Sequence, residues 1–105
     1  MIKIDYNKEM DILVVEEGDY DCFDRNIELG GFILDLDPES DFIGLEIIDA
    51  SQKISLTKEE LNKIDSAEVK YEKNDEVIRI ELILEIDSTK NVISSQYPSS
   101  ALAQA

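Results

Sequence analysis

The first half of the chain alternates between apolar and polar residues in the way typical of β-strands. Ile2–Tyr6 and Asp21–Leu29 alternate residue by residue, which predicts strands with one buried face. Ile12–Val15 is apolar throughout, which favours a central strand that is covered on both faces. Phe32–Leu36 and Phe42–Ile48 flank a turn that contains proline and form a predicted hairpin. The pattern therefore predicts a five-stranded antiparallel meander.

The second half opens with one predicted helix, at about residues 57–64. Thr57 followed by Glu60 is the signature of a capping box, in which each side chain bonds the other residue's backbone N–H. Leu61 and Ile64 supply a short apolar stripe, and Asp65 with the serine after it favours an end to the helix there.

A three-stranded antiparallel unit is predicted after the helix. Residues 67–73 and 76–86 form its hairpin, and a four-residue loop at 74–77 would place Glu72 opposite Arg79 and Lys70 opposite Glu81. Val92–Gln96 forms the last short strand.

The predicted fold class is α+β and mostly β, in one small domain at residues 1–97. Within it, residues 1–51 form the meander and residues 52–97 form the helix with the C-terminal strands, while residues 98–105 are a small-residue tail. The pattern leaves three arrangements open: one sheet, two sheets packed face to face, or pairing between subunits.

Charge narrows the partners that this domain can have. The chain carries 25 acidic and 10 basic side chains, and residues 1–50 alone hold 15 acids and 3 bases. Such a charge repels phosphate backbones and anionic membranes, so we expect no nucleic-acid or membrane partner and instead allow for a basic protein. The N-terminus lacks the apolar stretch of a signal peptide, and Cys22 is a lone cysteine, which together predict a cytoplasmic protein.

The missing residue types exclude several chemistries. There is no histidine, which excludes Ser-His-Asp and Cys-His catalysis and histidine-ligated metals. The lone cysteine excludes an internal disulfide and a multi-thiolate zinc site. We therefore expect no enzyme activity and no cofactor.

Three segments of the first half resemble an uncharacterised bacterial and archaeal family, catalogued as domain of unknown function 2283. They are Tyr6–Val15, the strand Gly31–Asp37 and the closing element Gly44–Ser51, which reads Gly-Leu-Glu-Ile-Ile-Asp-Ala-Ser. The resemblance covers residues 1–51 and implies a small β-rich fold with no established activity. Relatives encoded beside small basic toxin-like proteins would imply an acidic antidote.

Acidic residues around the predicted 37–41 turn are the candidate site. Asp35, Asp37, Glu39 and Glu46 match positions 1, 3, 5 and 12 of a calcium-binding loop. Ser40 stands where that loop needs glycine and Pro38 stiffens it, so an acidic hairpin is the favoured interpretation. The alternative is a divalent-cation site formed by Asp35, Asp37 and Glu46. The same hairpin is the predicted interaction surface, formed by Asp35, Asp37, Glu39, Asp41 and Glu46.

The sequence thus favours a non-catalytic acidic interaction module that forms a homodimer. The predicted sheet edges and the long apolar strand at residues 77–86 need covering, and a second copy is the simplest cover. The alternatives are an antidote to a basic toxin or nuclease, and a weak divalent-cation binder.

Overall fold

The structure is a computed structural model that describes residues 2–103 and contains two antiparallel sheets. The first sheet has five strands in the spatial order β1-β2-β5-β4-β3. Its strands are β1 (Lys3–Asn7), β2 (Ile12–Glu16), β3 (Arg25–Leu29), β4 (Phe32–Leu36) and β5 (Phe42–Ile48). The mostly β fold class and the presence of five N-terminal strands are therefore confirmed. The strand predicted at Asp21–Leu29 begins only at Arg25, because Tyr20–Cys22 forms a 3₁₀ helix before it.

The order of these strands departs from a simple meander. β2 pairs with β5, from Ile12 opposite Ile48 to Glu16 opposite Gly44, and β3 lies at the far edge. This position gives the apolar β2 a neighbour on each side, because β1 covers its other edge. Leu13 and Val15 on its inner face are fully buried.

The second sheet has three strands, as the predicted three-stranded antiparallel unit requires. Its strands are β6 (Ile64–Lys73), β7 (Val77–Ile86) and β8 (Thr89–Pro98), in the spatial order β6-β7-β8. Glu72 lies opposite Arg79 and Lys70 lies opposite Glu81, as the predicted four-residue loop requires. β7 lies within its predicted range, whereas β6 begins three residues early and β8 extends beyond both predicted ends. Pairing continues there through polar residues that the hydrophobic pattern does not mark.

One apolar core joins the two sheets, which answers the question that the sequence left open. The buried face of the first sheet contributes Leu13, Val15, Ile27, Leu29, Leu34, Leu36, Leu45 and Ile47. The second sheet contributes Val69, Ile78, Ile80, Leu82 and Leu84 to the same cluster. The apolar face of β7 is thus covered within the chain, so it does not need the second copy that the sequence suggested as its simplest cover.

Two short helices connect the sheets. The first, α1 (Ala50–Ile54), was not predicted, and it buries Ala50 and Ile54. The second, α2 (Lys58–Leu61), begins at the predicted capping box, in which Thr57 and Glu60 bond each other's backbone N–H. It ends earlier than residue 64, because Ile64 already pairs with Ile86 as the first residue of β6.

The end of the described chain is folded against the rest. Ser99–Ala103 forms a 3₁₀ helix, and Ala101 and Leu102 pack on the core. An Arg25 guanidinium nitrogen donates to the carbonyl oxygen of Leu102 at 2.9 Å. No helix within residues 2–103 is long and apolar enough to cross a membrane.

Candidate functional site

Asp11 is the buried charged residue of the described chain, at the turn between β1 and β2. Its carboxylate accepts hydrogen bonds from the Tyr6 hydroxyl at 2.7 Å, the Ser51 hydroxyl at 2.6 Å and the Ser51 backbone N–H at 3.0 Å. Its carbonyl oxygen accepts the Ala50 N–H at 2.9 Å. Asp11 therefore supplies acceptors for the first N–H groups of α1, which a residue directly before a helix usually supplies.

The hydrogen bonds at Asp11 set its protonation. Desolvation by burial acts to raise the pKa of Asp11, but the bonds from Ser51 and Tyr6 stabilise the anion and hold this pKa below its ordinary value of 3.8. For Tyr6, burial and the bond to Asp11 raise the pKa to about 12. A carboxylate with a lowered pKa is a weak base, so Asp11 is poorly suited to activate Ser51 as a nucleophile.

The N-terminus of α1 is capped by a residue that is distant in sequence. Asp49 precedes α1 in the left-handed conformation, with φ 55°, and its side chain makes no capping hydrogen bond. The cap comes from Asp11, which is 40 residues from Ser51 in sequence. Local patterns could not reveal this contact, because they compare only residues within a few positions of one another.

A second polar contact crosses the exposed face of the first sheet. The Tyr20 hydroxyl donates to Asp35 Oδ2 at 2.6 Å, and Gly44 lies beneath it. The register places Asp35 opposite Gly44 and Ile33 opposite Glu46, so Asp35 and Glu46 are diagonal neighbours on the two strands. Burial, followed by the bond to Asp35, raises the pKa of Tyr20 above its ordinary value of 10.0.

Gly44→Ala should move the ionisation of Tyr20 back toward pH 10. A Cβ at this position would overlap the Tyr20 hydroxyl and displace it from Asp35, which removes the two main causes of the raised pKa. Alkaline titration of tyrosinate absorbance measures this change, and Tyr20→Phe identifies the signal. Tyr6 and Tyr71, whose pKa values burial raises to about 12, are the internal controls. An unchanged titration in the glycine variant would contradict this account of Tyr20.

The acidic turn, residues 37–41, brings together a different set of acids from the predicted cation site. One carboxylate oxygen from each of Asp37, Glu39 and Asp41 lies within 4.8 Å of the others, whereas Asp35 and Glu46 do not belong to this group. Asp37 Oδ1 already accepts the backbone N–H groups of Glu39 and Asp41, each at 2.9 Å. The assignment of a metal to Asp35, Asp37 and Glu46 stays a prediction.

Basic and aromatic side chains from distant strands hold the acidic turn. Lys73 Nζ lies 3.1 Å from Asp41 Oδ1 and also donates to the Glu39 carbonyl. Arg25 donates to the Ser40 hydroxyl at 2.5 Å, and the Tyr71 hydroxyl donates to the Ser40 carbonyl at 2.9 Å. The Lys73 ammonium group therefore supplies positive charge where a bound cation would supply it.

An open groove of about 340 Å³ lies on the outer face of the second sheet. Two cationic side chains line it, Lys70 on β6 and Arg79 on β7. The Arg79 Nε–H donates to Gln96 Oε1 at 3.0 Å, and Lys70 Nζ lies 3.9 Å from Glu81 Oε1. The groove volume falls at the lower end of the range typical of small-molecule sites, roughly 300–1,000 Å³. Its exposed polar walls can donate to a phosphate or to the edge of a heterocyclic base.

A comparison with known proteins bears on what these sites do. A protein of Methanosarcina mazei, named "Putative hypoxanthine phosphoribosyltransferase", is 30% identical to the chain over 91 residues. The matched region is 87% of this chain and 73% of that relative. No protein-family model and no solved structure matches the chain.

This relative corrects the function that the sequence predicted. A non-catalytic interaction module, with the antidote and the cation binder as its alternatives, conflicts with a relative that carries the name of an enzyme. The prediction rested on the absence of histidine, which excludes histidine-based catalysis but leaves open reactions that use carboxylates, lysine and arginine. The identity and the coverage show that this chain belongs to the family of the Methanosarcina mazei protein named as a hypoxanthine phosphoribosyltransferase.

Proposed function

We propose that this protein acts in purine phosphoribosyl chemistry and binds a purine nucleotide in the groove of the second sheet. The named activity of the relative supports the reaction class. The location in the groove rests on one observation. Lys70 and Arg79 both line this groove, on a chain whose net charge is −15. An anionic ligand needs local positive charge to approach such a protein.

Side chains would have to hold the phosphate. All strand pairs in residues 2–103 are antiparallel, and the two α-helices of this region have five and four residues. A cradle made by a glycine-rich loop and a long helix is therefore absent from the described chain. Arg79 is the preferred phosphate ligand, because its guanidinium group can donate two parallel hydrogen bonds.

The groove also offers groups for the base and for proton transfer. Gln96 presents an amide that can both donate to and accept from the edge of a purine. Glu72 and Glu81 are carboxylates on the same face, which could accept the proton that a purine N–H loses when its bond to ribose forms. The same two carboxylates oppose phosphate binding, so we expect affinity that falls steeply with added salt.

Calorimetry with inosine monophosphate at low salt tests the binding step. Arg79→Gln should weaken binding about 10-fold or more, since a hydrogen bond to a charged group contributes roughly 1.5–3 kcal/mol. Lys63→Gln is the control, because it removes an equal charge from an exposed lysine outside the groove. Equal affinity of the two variants, or no detectable binding by the unmodified protein, would contradict the groove assignment.

Product formation tests the reaction class separately. In this reaction the purine nitrogen displaces pyrophosphate from the ribose carbon. Hypoxanthine with phosphoribosyl diphosphate and magnesium should therefore yield inosine monophosphate and pyrophosphate, both detected by chromatography. Turnover that survives in Arg79→Gln would place the reaction outside this groove. Nucleotide binding without turnover would reduce the proposal to a nucleotide-binding protein of this family.

A further inference from the structure

The outer edge of β8 is a long, unpaired row of backbone groups. β8 has ten residues and pairs only with β7 within the described chain, so its other edge lies open. Such an edge is a template for another strand, and proteins that avoid this pairing place charges or proline along it. On β8 these features stand only near the ends, at Lys90 and Pro98.

The turn before β8 determines which backbone groups face outward. Asp87 and Ser88 both have positive φ, 49° and 65°, as a two-residue type I′ turn requires. The flanking residues Ile86 and Thr89 therefore exchange hydrogen bonds with each other. Because hydrogen-bonded and non-hydrogen-bonded pairs alternate along an antiparallel ladder, every second residue after Thr89 directs its N–H and C=O away from β7. These residues are Lys90, Val92, Ser94 and Gln96.

Charge distinguishes this edge from the three others. Thr89–Pro98 and the 3₁₀ helix after it contain one lysine and no acid, in a chain with 25 acids. The edge strands β1, β3 and β6 each carry at least one acidic residue. Two copies of a chain with net charge −15 repel each other over most approaches. Because β8 carries no carboxylate, two copies that approach each other along this edge bring no strand carboxylates together.

We propose that β8 pairs antiparallel with β8 of a second copy, joining two three-stranded sheets into one of six strands. With the two-fold axis at Ile93, Val92 lies opposite the partner's Ser94 and Lys90 lies opposite the partner's Gln96. Lys90, Val92, Ser94 and Gln96 then all pair with the partner strand, which gives roughly eight backbone hydrogen bonds. Val92, which is 58% exposed in the single chain, gains the partner's Ser94 as a cross-strand neighbour beside the axis.

Size-exclusion chromatography with light scattering tests this pairing on the full chain. The unmodified protein should have about twice the chain mass of 11.9 kDa across micromolar concentrations. Ser94→Pro should give a monomer, because it removes an outward N–H and leaves the hydrogen bonds to β7 in place. Val92→Glu combined with Ser94→Glu should also give a monomer, by placing carboxylates beside the axis, and it preserves the test if the proline variant misfolds.

Gln52→Glu combined with Asn62→Glu is the matched control. It adds the same charge at two exposed positions outside β8, so it should remain dimeric. A monomeric unmodified protein would overturn the proposal. If the variant with glutamates at Val92 and Ser94 stays dimeric, the dimer forms through another surface and the proposal fails. It fails also if the control is monomeric, because added net charge alone then dissociates the dimer. Binding of a foreign extended peptide by a monomeric chain would assign the edge to a different occupant.

Discussion

Asp11→Ala should lower the free energy of unfolding by about 3–5 kcal/mol, since two effects act together. The substitution removes three side-chain hydrogen bonds to a buried carboxylate and leaves the Ser51 N–H without its acceptor. It also places alanine at φ 56°, where aspartate is better tolerated. Urea denaturation followed by circular dichroism measures the change.

Asp49→Ala separates the two effects. Asp49 has nearly the same φ, 55°, but it is exposed and makes no capping hydrogen bond. Its replacement should therefore lower stability only by the backbone strain, about 1–2 kcal/mol. If both variants lose the same stability, the hydrogen bonds of Asp11 contribute nothing measurable.

The contribution of Asp11 should depend on pH with a definite sign. Its pKa is lowered in the folded state, so its stabilising effect is complete above the unfolded value, near 3.8, and is lost as pH falls through the folded value. The stability difference between the unmodified protein and Asp11→Ala should therefore be constant near neutral pH and shrink below pH 3.8. A difference that grows in acid would contradict the lowered pKa.

Gly18→Ala should lower the free energy of unfolding by about 2–3 kcal/mol through overpacking. A Cβ at Gly18 would lie 2.6 Å from Cγ2 and 3.1 Å from the backbone Cα of Ile43. Ile43 cannot move away easily, because it is buried and its carbonyl accepts the N–H groups of Glu17 and Gly18, each at 3.0 Å. Denaturant unfolding again supplies the measurement.

Gly44→Ala is the matched comparison for this prediction. Its added Cβ would also overlap a neighbour, but that neighbour is the end of the Tyr20 side chain, which is 37% exposed and can rotate into solvent. We expect a loss near 1 kcal/mol, the contribution of one hydrogen bond. A loss as large as that of Gly18→Ala would show that the rigidity of the neighbour does not decide the effect.

The local part of the fold could be predicted, and the reason is physical. Alternation and turn residues depend on contacts between residues that are close in sequence. The predictions of the C-terminal hairpin, its charge pairs and the capping box at Thr57 were therefore correct. The partner of β2 could not be predicted, because strands pair along their edges through backbone groups that every residue except proline carries. The β4–β5 hairpin was predicted, but the bulge that leaves Ile43 unpaired between Phe42 and Gly44 was not.

The candidate sites were predictable only in part, for the same reason. The cluster of acids at residues 37–41 is visible in the sequence. The side chains that neutralise and hold it, Lys73 and Tyr71, come from β6, more than thirty residues later. The groove was missed because its members sit on three strands and share no motif, although the opposed pair Lys70–Glu81 marked two of its walls.

β2 and β5 are neighbours in the sheet although β3 and β4 lie between them in the sequence. This order has a consequence for the folding pathway. The pairs β3–β4, β4–β5, β6–β7 and β7–β8 each join strands that are adjacent in sequence and need only short loops to close. Pairing of β2 with β5 must close a much longer loop, from Glu16 to Gly44 at its shortest. The entropic cost of forming this pair is therefore higher. We therefore expect the β1–β2 hairpin to dock late, with the bond from Ser51 to Asp11 completing that step. In stopped-flow experiments, Asp11→Ala should then speed unfolding markedly while the folding rate changes little.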